Sequence, residues 1–364
     1  MPHPTLYIAI TNHGFGHATR IAAVAATIQR LCPELRLILT TTAPRWLLAS
    51  YLSAEFIHRP LGFDVGVIQS DSITMDKSAT LEKLQHIRAE QAAIVAEEAE
   101  FIRQNEVGLI LADIPPVMTK IAQAAEIPCW MMSNFGWDFI YRDWGGEFIA
   151  IADWIATCFG QCDRLFRLPF HEPMSAFPQM TDVGLTGGEP RYSRAHFQAE
   201  FGLNTPSERT ILLTFGGLGL AKIPYQNLER FPDWQFITFD RQAPDLSNLI
   251  KVNDSRYRPV DFMPFCDRVV SKPGFSTFSE ACRLDTPIVT ITRAGFAEAP
   301  VLLAAMQDCA YHQILSPIDF FEGTWDFLHQ PPQSPRTTQR VAKDGNEVVA
   351  QSVIDYFAAN SIGG

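Results

Sequence analysis

The chain of 364 residues lacks the marks of several protein classes. It has seven cysteines, an odd number, and none forms a Cys-x-x-Cys pair. Cys158 and Cys162 stand four apart, which would put them on one helix face, but no further ligand is near. Thiols scattered in this way read as buried and reduced, so a disulfide framework and a zinc site are set aside. Positive charge is scarce: 29 Lys and Arg against 40 Asp and Glu leave a net charge of −11. A surface that tracks nucleic-acid phosphates needs clustered cations, so no nucleic-acid partner is expected. A local basic pocket for a diphosphate stays compatible with that balance. No apolar run reaches membrane-spanning length. The first ten residues lack the charged and apolar regions of a signal peptide. The expectation is a cytoplasmic protein with no transmembrane segment, with peripheral membrane contact left open. A G-x-x-x-x-G-K-[ST] phosphate loop is also absent.

What is present is ample core. An apolar fraction of 47% with 19% charged residues describes a globular protein, and the length suits two domains. Apolar strand-like runs alternate with helical segments, the cadence of a parallel α/β sheet. In the first half the strand runs are 6–11, 36–42, 55–59, 107–112 and 128–133. Pro44 should start a short helix, and Pro115-Pro116 the one after Asp113. Residues 79–104 read as one long amphipathic helix. Residues 61–77 read as a loop with Gly62, Gly66, Asp71 and Asp76. The stretch 164–192, rich in Pro and Gly, reads as a crossover between domains. Strands then resume at 210–215, 235–240, 269–272 and 287–293, with helices at 275–284, 298–307 and 346–357. This gives an N-terminal Rossmann-like domain over 1–178, a second over 179–345, and a last helix in 346–364 that packs back towards the first.

Three turns follow strands and could carry chemistry. The first is His13-Gly14-Phe15-Gly16-His17-Ala18-Thr19-Arg20, between a strand and an alanine-rich helix. It is not a dinucleotide fingerprint, because position 19 is Thr and the second strand ends in Thr40-Thr41-Thr42 without a ribose-binding carboxylate. Gly14 and Gly16 let a substrate approach the backbone closely. The two histidines, His13 and His17, can move protons near neutral pH.

The second turn is Ser271-Lys272-Pro273-Gly274-Phe275-Ser276-Thr277-Phe278-Ser279-Glu280. Ser276 and Thr277 would offer amides and hydroxyls to an anion at a helix N-terminus. Glu280, one turn on, could accept hydrogen bonds from a ribose. An ordinary cap with Ser276 at the N-cap is the competing reading. Lys272 could touch a diphosphate or face solvent. The third turn, Gly216-Gly217-Leu218-Gly219, could bring amides to a phosphate or be a plain loop.

Taken together these runs resemble a GT-B glycosyltransferase, of the type that includes the UDP-glycosyltransferases and the lipid-linked peptidoglycan N-acetylglucosaminyltransferase. The likeness is closer to the glycosyltransferase-like N-terminal half of plant L-arabinokinase and its stand-alone bacterial relatives. It is carried by residues 13–20, Asp113-Ile-Pro-Pro116, 133–141, Arg167-Leu-Pro169, Phe215-Gly-Gly217 and 272–280. The resemblance implies two facing Rossmann-like domains with a cleft between them. It implies His17 as general base, with His13 its rival, and Asp113 as the acid that orients it. A helix N-cap before Pro115 is the other reading of Asp113. Gly216 and Gly217 would face the donor diphosphate with Lys272 and Gly274, Ser276 and Thr277 would clamp it, Glu280 would hold the ribose, and Glu298 the donor sugar. The acceptor side would hold Gly14, Gly16, Arg20, Trp137 and Asp138. Arg20 departs from the proline of the family's turn, and Trp137, Asp138, Tyr141 and Arg142 could equally be core. No Asp-x-Asp pair is present, so no metal or other cofactor is expected. The substrates would be a nucleotide sugar, UDP-linked by likeness, and an acceptor of unknown identity, a small molecule or a lipid. Inversion of the anomeric centre follows from the likeness alone. An epimerase or hydrolase on the same fold and a non-catalytic nucleotide-sugar sensor are the alternatives. No kinase activity is expected, since the chain ends where the plant protein's kinase half would begin.

Overall fold

A computed structural model describes residues 4–69, 74–217, 219–220 and 223–361. Asp71 and Leu218, named above as loop residues, lie outside the described residues. The chain forms two α/β units, one from residues 4–68, 75–187 and 341–361, the other mainly from 188–340.

The first unit contains β1 (Thr5–Ile10), β2 (Arg36–Thr40), β3 (Ile57–Arg59), β4 (Val107–Asp113), β5 (Cys129–Ser133), β6 (Arg164–Arg167) and β7 (Met180–Asp182). Its helices are α1 (Gly16–Leu31), α2 (Arg45–Ala49), α3 (Lys77–Gln104), α4 (Met118–Ala125), α5 (Trp137–Trp144) and α6 (Phe148–Phe159). The sheet order is β3-β2-β1-β4-β5-β6-β7, and the pairings are parallel. All six residues of β1 are buried, as expected for a central parallel strand covered on both faces. The order reverses between β1 and β4, where the register sets Ile10 beside Asp113. Such a switch point opens a crevice at the carboxyl ends of the strands, where ligands bind in α/β sheets.

The second unit repeats the plan. It holds β8 (Thr210–Leu213), β9 (Gln235–Thr238), β10 (Leu249–Lys251), β11 (Arg268–Ser271), β12 (Ile288–Ile291) and β13 (His312–Leu315), with α7 (Arg194–Phe201), α8 (Pro259–Phe262), α9 (Phe275–Arg283), α10 (Glu298–Cys309) and α11 (Pro317–Phe321). The order β10-β9-β8-β11-β12-β13 reverses between β8 and β11. The final helix α12 (Gly345–Ser361) belongs to the first unit. There Tyr356 donates to the Gly108 carbonyl at 2.9 Å and its ring meets that of Trp130.

Several local expectations change. The region 164–192 is not only a crossover: β6 and β7 extend the first sheet, and the first unit runs to Gly187. Their alternation is too short to stand out among prolines. The edge strands β10 and β13 are likewise additions, three and four residues long. Pro115-Pro116 makes a turn rather than a first helical turn, with the Met118 amide on the Pro115 carbonyl at 3.2 Å. Helix α4 then begins at Met118 with Val117 at its N-cap, so Asp113 caps nothing. Ser276 is not an N-cap either, because Gly274 holds that place. Cys158 and Cys162 do not share a helix, since α6 ends at Phe159.

Candidate active site

The switch point of the first sheet is built by α1 meeting the end of β4. His17 and Arg20, three apart near the start of α1, lie on one helix face and both point at Asp113. His17 Nδ1 is 2.8 Å from Asp113 Oδ1. Arg20 closes on the same carboxylate with two bonds of 2.5 Å, from Nε to Oδ2 and from Nη2 to Oδ1. Its remaining donors reach Asn134 Oδ1 at 2.7 Å and Ser133 Oγ at 3.0 Å, at the end of β5. Burial by itself would raise the Asp113 carboxyl, but Arg20 and His17 outweigh it and hold it below the ordinary aspartate range.

The proton positions follow from these partners. An ionised Asp113 only accepts, so a bond of 2.8 Å requires the proton on His17 Nδ1. The 3.0 Å approach of Arg20 Nη2 to Nδ1 is then a contact between two donors, not a hydrogen bond. In the neutral ring His17 Nε2 is then the nitrogen with a lone pair. His13 has the opposite arrangement: its Nδ1 accepts the Val67 amide at 3.2 Å. The proton of a neutral His13 therefore sits on Nε2. The two rings stand edge to face, 6.2 Å apart, with different tautomers and different chemistry.

The loop read over 61–77 closes this cluster through Asp64, a residue that the sequence did not mark. Asp64 accepts from the Thr11 hydroxyl, and from the Asn12 amide at 2.8 Å. Burial raises the Asp64 carboxyl above its ordinary range, against those two hydrogen bonds and the nearby His17. Thr11 in turn receives the Trp137 indole N–H at 3.0 Å, and Tyr141 donates to the Gly66 carbonyl at 2.5 Å. Gly66 has φ +54, and a Cβ there would lie 2.6 Å from His13 Cβ. Only glycine suits that close approach. Glu172 is a further addition, accepting the Gly136 amide at 3.1 Å and the Met174 amide. No local pattern marks Asp64 or Glu172, because every one of these contacts except that to Met174 spans tens of residues.

The acceptor-side expectations divide. Gly14 and Gly16 are exposed in the turn, Gly14 with φ +60. Arg20 does not line a surface: it is 2% exposed and its guanidinium serves Asp113. Trp137 is 1% exposed, with its ring stacked on Tyr141 and edge-on to His13. Both are interior because a buried carboxylate needs a cation, and a buried indole needs an acceptor for its N–H. Asp138 is partly buried in the first turn of α5, and its Oδ1 has no hydrogen-bond partner among the described residues. Burial pushes its carboxyl above the ordinary range. Arg142 is exposed and pairs with Asp153 at 2.8 Å.

In the second unit the switch point lies between the ends of β8 and β11. Gly216, with φ +78, follows β8 and is exposed with Gly217. Lys272 follows β11, and its Cε passes 3.7 Å from where a Gly216 Cβ would stand. The structure thus brings Gly216 and Lys272 together. Gly274 then caps α9 with no side-chain hydrogen bond, and no acidic residue occupies the first turn. Ser276 and Thr277 are half-buried in that turn, where amides lack intrahelical acceptors and the helix end is electropositive. Glu280 is 6% exposed and accepts the Gly188 amide at 2.9 Å through Oε1. Glu298 opens α10 and is buried. Among the described residues no group of three His, Cys, Asp or Glu side chains is placed to hold a metal ion. None of the helices is long and apolar enough to cross a membrane, again among the described residues.

No family model matches the sequence. The chain is 28% identical over 354 residues to the L-arabinokinase of Arabidopsis thaliana, covering 94% of this chain and 33% of that protein. It therefore spans about a third of the length of the curated relative it matches. Among solved structures it is similar to the kitacinnamycin glycotransferase, with a TM-score of 0.65 and 12% identity over 98% of this chain and 99% of that one. The calicheamicin glycosyltransferase CalG4 gives 0.62 and 13% over 98% and 99%. UGT71G1 of Medicago truncatula, solved with UDP-glucose, gives 0.59 and 11% over 96% and 93%. These likenesses establish the fold: the chain has the GT-B architecture.

Proposed function

We propose that this protein transfers a sugar from a UDP-linked donor to an acceptor hydroxyl, with inversion and without a metal. The observation that carries the reading is the His17–Asp113 pair, 2.8 Å apart at the switch point of the first sheet. Proton transfer from an alcohol needs an imidazole whose far nitrogen has a lone pair and whose near nitrogen is held by a carboxylate. His17 meets both conditions and His13 does not.

In the proposed step the acceptor hydroxyl gives its proton to His17 Nε2. Its oxygen forms a bond to the anomeric carbon as the bond to the diphosphate oxygen breaks. UDP leaves with that electron pair. Asp113 holds the ring and balances the imidazolium charge. The positive end of α9, with Ser276 and Thr277 in its first turn, and Lys272 over Gly216 would stabilise the leaving diphosphate. Glu280 would accept from the ribose and Glu298 from the donor sugar. The solved structures complexed with UDP-glucose or UDP support a donor of this class.

The test begins with thermal shifts on UDP and UDP-glucose, since binding to the native state raises the melting temperature. Release of UDP is then followed from UDP-sugars with and without candidate acceptor alcohols. His17→Ala should abolish acceptor-dependent UDP release and leave UDP binding intact. Near-normal turnover in that variant would remove His17 as base. Release of UDP at an equal rate without any acceptor would favour hydrolysis.

A further inference from the structure

Five cysteines, Cys32, Cys129, Cys158, Cys162 and Cys266, are buried, whereas Cys282 and Cys309 are only partly covered. Cys282 stands in the last turn of α9, and Cys309 is the final residue of α10. The two helices pack against each other, and the Cys282 thiol is within hydrogen-bonding reach of Cys309. The bond from Cys282 holds the Cys309 thiol below its ordinary range, over the opposing effects of burial and the Asp308 carboxylate. The buried thiols go the other way: burial pushes Cys32 and Cys158 up to about 11 and Cys162 up to about 12. Because the thiolate is the reactive form, and access is also required, oxidation in this chain should begin at Cys309.

We infer that Cys282 and Cys309 form a redox modification site, which closes to an intramolecular disulfide when the protein meets a peroxide. In the first step the Cys309 sulfur attacks one peroxide oxygen. An S–O bond forms, the O–O bond breaks, and the departing hydroxide takes a proton to leave as water. Cys309 is then a sulfenic acid. In the second step the Cys282 sulfur attacks the Cys309 sulfur. The S–S bond forms, the S–O bond breaks, and the hydroxyl leaves as water with the Cys282 proton. Two thiols lose two electrons, and one hydrogen peroxide becomes two waters. The cross-link joins the C-terminal ends of two helices whose first turns carry Ser276, Thr277 and Glu298. At 1.5 Å per residue Cys282 stands about 9 Å along α9 from Ser276, two residues past Glu280, and Cys309 stands about 16 Å along α10 from Glu298, so the cross-link leaves those first turns open.

The test uses the reduced full chain and hydrogen peroxide, and it reads thiols rather than sugar transfer. After treatment the free thiols are alkylated and the protein is digested for mass spectrometry. The expected result is two fewer alkylated cysteines and a peptide joining positions 282 and 309, reversed by dithiothreitol. Cys282→Ser should leave Cys309 as a sulfenic acid trapped by dimedone, while Cys32→Ser should still form the cross-link. All seven thiols remaining alkylatable under peroxide that fully oxidises free glutathione would overturn the proposal. So would a cross-link found only between two chains on a non-reducing gel, or Cys309 oxidised past sulfenic acid with Cys282 free.

Discussion

Arg20 grips both oxygens of Asp113 at 2.5 Å, deep in the first unit, and neither side chain is more than 2% exposed. The carboxylate that orients His17 is thus already paired with a cation. Removing one member of a buried ion pair leaves the other unpaired, at a cost of about 3–5 kcal/mol. Arg20→Met should destabilise the protein by about that much in urea unfolding. Adding Asp113→Asn should recover part of the loss, because the stranded charge goes with it. A loss below about 1 kcal/mol for Arg20→Met would show that the pair matters little to stability.

The pH dependence of Asp113 has a definite sign. Its folded pKa is depressed, so its stabilisation is present above the unfolded value near 3.8 and is lost as the pH falls through the folded value. Asp138 has the opposite sign. Burial raises its folded pKa, so its contribution is full below 3.8 and disappears as the pH rises through the raised value. Asp138→Asn should therefore stabilise the protein at neutral pH. The gain should shrink as the pH is lowered toward 3.8. Melting temperatures of both proteins across that range check it, and a gain that grows on acidification would contradict the assignment.

Gly66 tests the loop that closes the site. A side chain at φ +54 costs roughly 1–2 kcal/mol by backbone sterics alone. The new Cβ would also press on His13 Cβ from 2.6 Å. Gly66→Ala should lower stability by at least about 1 kcal/mol and shift the His13 ring resonances in an NMR spectrum. Gly14→Ala has the same backbone penalty but meets nothing within 4 Å, so it should leave those resonances in place.

The donor side can be tested by calorimetry with UDP. Lys272→Met should weaken binding by about tenfold, or ~1.4 kcal/mol, through loss of one cation at the diphosphate. Glu280→Ala should weaken it several-fold, both by removing the proposed ribose acceptor and by freeing the Gly188 amide it holds at 2.9 Å. Unchanged affinity in both variants would take the nucleotide away from this turn.

Sequence alone determined the two α/β halves, because wholly apolar runs such as Leu6–Ile10 must be buried parallel strands and because glycine turns between strand and helix announce themselves locally. It also marked the turns at His13–Arg20 and Lys272–Glu280 as the places to look. It could not mark β10 or β13, whose three or four residues carry too little pattern, or Asp64, which meets Thr11 across 53 positions. Arg20 is the instructive case. Its i,i+3 spacing from His17 was in the sequence, yet the family likeness placed it on the acceptor side. Only the register of β1 against β4, which sets Ile10 beside Asp113, brings a carboxylate under that helix face and makes a buried guanidinium the stable outcome. The same register brings His17 to 2.8 Å of Asp113 across 96 residues. The choice of tautomer, and with it the difference between His17 and His13, depends on partners that only the folded chain assembles.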